Sequence, residues 1–329
     1  LAASRQAIGV SLMTLGLVDK ARPLLDAAFK ELQTLPTQSE IRLSAEFELA
    51  QLLFYEGKPA EAEAALRELL ARERDRTQSQ HSVREGDMLN AIGASLRAQG
   101  KTSEALAVQS EALAIRTSLL GPKSLKVAES LNNIAAANFS LGKFDQARSG
   151  FGDALAIREA LLRPNHPMIV ATRSNLGLAT LRAGDAAGAL PHLRFAASAW
   201  TDAYGPDHAG KPIALTSLAQ ALRSLKHYDQ AIAALTEAVQ WHKAHDARNT
   251  PQWHAAWVNI GVTHAMNDDL DKGVAILEAH LPALESGKAM AGLVDQALET
   301  LANCYEKLGD AANAQRARER RDEFARRSR

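Results

Sequence analysis

One cysteine, Cys304, stands alone in a chain of 329 residues, so no intrachain disulfide framework can form. A single thiol is compatible with an oxidising or a reducing compartment, so it does not assign one. Aromatic residues make up only 5% of the chain, which disfavours a β-sandwich, whose strands want aromatic and β-branched side chains. Net charge is also missing, because 38 basic residues balance 38 acidic ones. Nucleic-acid binding draws on a basic excess, so nucleic acid is not the expected partner. The same balance disfavours a general anionic-membrane binder. No stretch approaches the roughly 20 apolar residues of a membrane span. The chain opens on Leu1 with no basic n-region and no cleavage site, so no signal peptide is visible.

Catalytic signatures are absent too. There is no phosphate-binding Gly-x-x-x-x-Gly-Lys-Ser/Thr, no Gly-x-Gly-x-x-Gly after a strand and no Gly-x-Ser-x-Gly elbow. His-Glu-x-x-His is missing, and a lone cysteine cannot make a Cys-x-x-Cys metal knuckle. Neighbouring carboxylates such as Glu61 and Glu63 read as an ordinary charged helix face. No cofactor is implied, and this chain is not expected to be an enzyme, whatever catalytic domain a parent protein carries.

What the chain has is alanine, at 63 residues, and a period. Ile92-Gly93 is followed by Gly100 and Ala105, Ile134-Ala135 by Gly142 and Ala147, and Leu176-Gly177 by Gly184 and Ala189. Leu218-Ala219 continues with Lys226 and Ala231, and Ile260-Gly261 with Asp268 and Gly273. The anchors 92, 134, 176, 218 and 260 are each 42 residues apart. Further units sit at Ile8, Leu49 and Leu301, making eight in all.

Each unit reads as two helices, A and B. Leu89, Ile92, Gly93 and Leu96 recur at helical spacing in the first. A glycine with a polar neighbour then marks a left-handed turn, and the second helix follows, for example Phe144 to Leu161. Pro-containing turns such as Gly121-Pro122 and Gly205-Pro206 close the units. The fold expected is all-α: one solenoid over 1–329, with units near 1–40, 41–82, 83–125, 126–167, 168–209, 210–251, 252–292 and 293–329.

These residues resemble the tetratricopeptide repeat (TPR), in which a small pair on helix A, a turn glycine and an alanine on helix B recur. Leu131-Asn132-Asn133-Ile134, with Leu155-Ala156-Ile157-Arg158 leading to Arg163-Pro164-Asn165-His166-Pro167, looks like the kinesin-light-chain variety. The resemblance implies a right-handed superhelix whose A helices line a concave groove. It names no ligand. Lys226, Asp268 and Gly273 depart from the pattern.

With each anchor as position 7, positions 4, 7, 8 and 11 share a packing face, and positions 2, 5, 6, 9, 12 and 13 lie about half a turn away. Position 6 carries Asn133, Asn175 and Asn259, with Ser217 between them, and position 5 carries Asn90 and Asn132. Positions 12 and 13 add Arg97, Phe139, Arg182 and Arg223. Asparagine is a poor mid-helix residue, so a periodic set of it asks for a reason. An amide can grip both backbone groups of an extended peptide, and arginine beside it can pair with a carboxylate. The alternative is that these amides bond to the neighbouring A helix and set inter-repeat geometry. The resembled family uses the Asn position for cargo peptides, which favours a peptide-binding groove.

Six of the ten histidines crowd into repeats six and seven. His242 and His245 share a helix face and His254 starts the next helix, which makes these three the candidates for a metal or pH-responsive site. Polar helix surface is the reading preferred, and no metal is assigned. His166 and His208 occupy a turn slot that holds Ser124 and Thr250 elsewhere, which reads as a helix cap. Trp241, Trp253 and Trp257 are expected to fill space between repeats six and seven.

The segment from Gln315 to Arg329 holds seven arginines and reads as a polar cap on the solenoid. The tail looks like a natural C-terminus, whereas Leu1 begins inside a helical pattern, so the missing part of a parent is expected on the N-terminal side. The function expected is a protein- or peptide-binding module, the sensor or regulatory region of a larger signalling protein such as a bacterial Ser/Thr kinase. Alternatives are a self-associating scaffold and a metal- or pH-responsive sensor. The compartment is cytoplasmic or, if a span precedes Leu1, periplasmic.

Overall fold

The computed structural model describes residues 1–14, 16–245, 247–287 and 290–328, and all regular structure among them is helical. Two compact units result, Leu1–Leu162 and Arg163–Arg329. The first holds α1 (Ala2–Thr14), α2 (Val18–Leu32), α3 (Glu40–Tyr55), α4 (Pro59–Arg76), α5 (Val83–Ala98), α6 (Thr102–Leu120), α7 (Leu125–Ser140) and α8 (Phe144–Leu161). Consecutive helices pack together, and α1, α3, α5 and α7, the A helices, also touch one another in turn.

The second unit holds α9 (Pro167–Arg182), α10 (Ala186–Tyr204), α11 (Gly210–Ser224), α12 (Tyr228–Ala244), α13 (Pro251–Met266), α14 (Leu270–His280), α15 (Pro282–Glu285), α16 (Ala291–Lys307) and α17 (Ala311–Ser328). The pairing is the same until α14, a B helix of only 11 residues. Pro282 lies just beyond it and starts the short α15, since proline cannot donate to the preceding turn.

The period has a direct packing cause. The helix-B alanines Ala62, Ala105, Ala147, Ala189 and Ala231 are all 0% exposed, so each sits where nothing larger than a methyl fits. Leu89, Ile92 and Leu96 of α5 are likewise buried, as their spacing requires. The turn slot is left-handed throughout: Gly100, Gly142 and Gly184 have φ of 78°, 73° and 92°, and Lys226 and Asp268 hold the same slot at 61° and 62°. Those two side chains accept a strain of about 1 kcal/mol that glycine avoids.

The cap slot behaves as the sequence implied. Ser82, Ser124 and Thr250 accept from the backbone N–H three residues on, at 3.0, 3.3 and 3.2 Å. His166 Nδ1 accepts from Met168 N at 3.2 Å, and His208 Nδ1 from Gly210 N at 3.0 Å. At the C-terminal end the arginines fold back on the body. Arg320 pairs with Glu278 and Glu285, and Arg321 with Asp295 and Glu299. Arg329 lies outside the described residues.

Candidate functional site

Each unit contains a cavity built on the A-helix face, and the two occupy equivalent places in the repeat. In the first unit a cavity of about 300 Å³ lies against α3, α5, α6 and α7, with Phe47, Gln51, Phe54 and Tyr55 forming the α3 wall. Arg116 of α6, only 1% exposed, fills its floor. Its Nη1 donates to the Lys126 carbonyl at 3.0 Å and to Ser130 Oγ at 2.8 Å, and its Nη2 donates to Asp87 Oδ1 at 2.7 Å. Glu129 comes within 3.3 Å of the same guanidinium, and Lys126 Nζ donates to Asp87 Oδ2 at 2.5 Å. A buried arginine is tolerable only with such a set of acceptors, because an uncompensated charge there costs several kcal/mol.

Two of the asparagines belong to this wall. Asn133 Nδ2 donates to Asn90 Oδ1 at 2.8 Å, and Asn90 Nδ2 donates to Glu129 Oε1 at 3.1 Å. The amides therefore tie α5 to α7, and both residues also line the cavity. Nearby on α3, burial and then the charge of Asp87 push the Glu48 carboxyl up to about 7.

Three periods further on, the second unit has a cavity of about 550 Å³ against α11, α12 and α13, with Met290 at one side. The lining keeps register with the first. Asn259 stands where Asn133 stood, but Ile213 replaces Asp87, His242 replaces Arg116, Gln252 replaces Lys126 and Ala255 replaces Glu129. Among the described residues, no Asp, Glu, Lys or Arg lines it. An imidazole is far shorter than the guanidinium arm of Arg116, and among the described residues the second cavity has no counterpart of the α3 wall made by Phe47, Gln51, Phe54 and Tyr55. Burial, with the nearby His245, lowers the His242 pKa and so favours the neutral ring. Trp241 forms a rigid wall: its Nε1 donates to the Pro206 carbonyl at 2.8 Å and its ring stacks on His245 at 4.1 Å.

Of the residues singled out in the sequence, Asn90 and Asn133 come together in one cavity and Asn259 lines the other. Arg223 Nη1 reaches Asn259 Oδ1 at 3.4 Å, and burial lowers its pKa. Asn132 is approached by Arg158 Nη1 at 3.5 Å, and Phe139 packs edge-on against Phe144 with centroids 5.3 Å apart. Asn175 and Arg97 are half-buried and Arg182 is exposed, and none of the three lines either cavity. Arg116, Ile213 and Met290 were not anticipated as site residues, His242 was a candidate only for a metal or pH-responsive site, and Trp241 was expected to fill space. The signal for two of them was present in the same 42-residue register, which runs Arg74, Arg116, Arg158, Trp200, His242 along the B helices.

The histidines do not gather into one site. His242 lies in the cavity wall, His245 bonds to Asp207 at 2.9 Å, and His254 faces His280 at 3.2 Å. Among the described residues no group of three or more His, Cys, Asp or Glu side chains converges on a metal position. Trp253 and Trp257 pack on the unit's core as expected, whereas Trp241 is partly given over to the cavity. No helix among the described residues is long and apolar enough to cross a membrane.

Comparison with known proteins agrees with this architecture. Two family models, both described as tetratricopeptide repeat, match: one at residues 84–160, 127–194 and 168–241, the other at 47–118 and 216–289. No curated protein matches. Among solved structures, kinesin light chain TPR-like repeats from Podosopora anserina align with a TM-score of 0.54 at 20% identity, over 65% of this chain and 99% of that one. A Rap protein complexed with Competence and Sporulation Factor aligns at 0.63 and 13% identity, over 99% and 98% of the two chains. A signal transduction ATPase with a tetratricopeptide repeat sensor, from Pyrococcus horikoshii, aligns at 0.70 and 12% identity, over 98% of this chain and 47% of that one. At these identities the likeness concerns the fold.

Proposed function

The chain belongs to the tetratricopeptide repeat family, and we propose that it is a non-enzymatic module that binds an extended peptide or protein segment along its A-helix faces. The observation carrying this reading is the pair of register-equivalent cavities, both opening on that face and both walled by the periodic asparagine position. A repeat that leaves the same concavity at the same place, while changing its lining from charged to uncharged, has the form of a set of side-chain subsites. Asn133, Asn175 and Asn259, with Asn90, Asn132, Arg97, Phe139, Arg182 and Arg223, are the ligand-facing residues of this proposal. The Rap complex with its factor and the sensor role of the repeats in the Pyrococcus horikoshii ATPase support the further step: this chain is the sensing or regulatory region of a larger signalling protein.

The test is capture of the full chain on an array of end-blocked octapeptides, wild type beside a variant carrying Asn133→Ala, Asn175→Ala and Arg182→Ala. The variant is expected to lose most of the signal while keeping its circular dichroism. Equal capture by both would remove the site assignment. A chain that captures nothing and instead self-associates in light scattering, unaffected by the triple substitution, would make it a scaffold.

A further inference from the structure

Of the seven register positions that line both cavities, four carry Asp87, Arg116, Lys126 and Glu129 in the first unit and Ile213, His242, Gln252 and Ala255 in the second, so four charged side chains are replaced. Three of the second cavity's polar side chains are turned back on the backbone, while His242 keeps a buried Nδ1 without a hydrogen-bond partner. Thr216 Oγ1 donates to the Pro212 carbonyl at 2.8 Å, Ser217 Oγ to Ile213 at 3.0 Å, and Asn259 Nδ2 to Ala255 at 2.9 Å. The space left is wide, uncharged and walled by Trp241, Ile213 and Met290. Ile213 is 64% exposed at its edge, an apolar surface that the fold itself does not cover.

We propose that this cavity is the specificity subsite of the module, taking one bulky uncharged apolar side chain of a bound peptide. The inference rests on the peptide-binding reading above and adds the class of residue recognised. Four features argue for that occupant over a charged or small one. A carboxylate or ammonium entering here would shed water and meet no opposite charge, whereas in the first unit Asp87, Arg116, Lys126 and Glu129 are at hand. The volume of about 550 Å³ lies within the range of ligand-binding clefts and accommodates the largest side chains. Trp241 is already fixed by its bond to Pro206 and its stack on His245, so contact with it costs little ordering. Met290 supplies an adaptable edge, which suits aliphatic side chains of differing shape.

Ile213 is the position to change, because its exposure means that a carboxylate there does not threaten folding. The probe is a set of end-blocked octapeptides with a constant serine- and glycine-rich frame and one central residue varied through Leu, Ile, Met, Phe, Ala, Ser, Asp and Lys. Binding to the full chain is read by Trp fluorescence and by anisotropy. The large apolar residues are expected to bind about tenfold or more tighter than Ala, Asp or Lys, the gain from burying one such side chain. Ile213→Asp, the residue that the first unit carries at this place, is expected to erase that preference with circular dichroism unchanged. Binding of peptides without apolar preference, or a preference that survives Ile213→Asp together with Ala255→Glu, overturns this proposal and leaves the peptide-binding reading standing. No binding of any peptide in this set or in the array overturns both.

Discussion

Asn133 on α7 donates its Nδ2 proton to Asn90 Oδ1 on α5 at 2.8 Å, and so ties two neighbouring A helices together beside a cavity that both residues line. The sequence offered peptide binding and inter-repeat bonding as alternatives for such amides. At this pair the bond exists, and the bonded amides also form the wall, so positioning the repeats and shaping the cavity are one task.

Removing one partner should therefore cost more than removing both. Asn133→Ala leaves Asn90 Oδ1, on a side chain 7% exposed, short of its donor, and is expected to lower stability by about 1–3 kcal/mol in urea unfolding. Asn90→Leu with Asn133→Leu replaces the pair by apolar contact and is expected to be milder than the single truncation. A double variant as damaging as the sum of the singles would contradict the pairing.

Arg116 makes a different demand. Its guanidinium serves Asp87, Ser130 and the Lys126 carbonyl at once, a geometry that an ammonium cannot reproduce. Arg116→Lys is expected to destabilise by about 3 kcal/mol despite keeping the charge. A thermal midpoint indistinguishable from wild type would show that the network carries no such load.

Glu48 gives the pH dependence. Burial, then Asp87, raises its carboxyl from 4.5 to about 7, so between those values the folded chain holds a proton that the unfolded chain has released. Stability from this group thus falls as pH rises through 4.5 to 7, and above that window the full cost, on the order of 3 kcal/mol, is present. Glu48→Gln is expected to be more stable than wild type at pH 8 and to converge with it towards pH 4. A constant difference across that range would contradict the raised value.

The glycine at the start of α11 is held by close approach. A Cβ on Gly210 would stand 1.9 Å from Trp200 Cζ2, and that indole is itself fixed by its bond to His208 Nδ1 at 3.1 Å. Gly210→Ala must displace a rigid ring and is expected to cost about 1–3 kcal/mol, with a change in Trp fluorescence. An unaltered spectrum and midpoint would show that the ring moves freely.

The repeat was legible in the sequence because close helix packing leaves a mark at fixed spacing: Ala105, Ala147 and Ala189 are invariantly small for a reason that recurs every 42 residues. The turn slot and the Ser124, His166 and Thr250 caps were legible for the same reason. The cavities were only half legible. Helical geometry placed Asn90, Asn133 and Asn259 on the right face, but the floor is made by B-helix side chains, and which of them reaches between repeats depends on length and direction. Arg116 reaches and fills, whereas His242 does not and leaves space. Trp241, lining the cavity while stacked on His245, could not be told from a space-filling tryptophan by periodicity.

The most direct test of a ligand lying along the A-helix faces is photo-crosslinking from defined positions. A photo-reactive phenylalanine analogue is placed in turn at Ile213, at Asn175 and at Ala233, an exposed residue of α12 that does not line the cavity, and a bound octapeptide from the array is irradiated with each. Crosslinks mapped by mass spectrometry from Ile213 and Asn175, with none from Ala233, are the result the account predicts. Crosslinks from Ala233 in preference to the other two would contradict it.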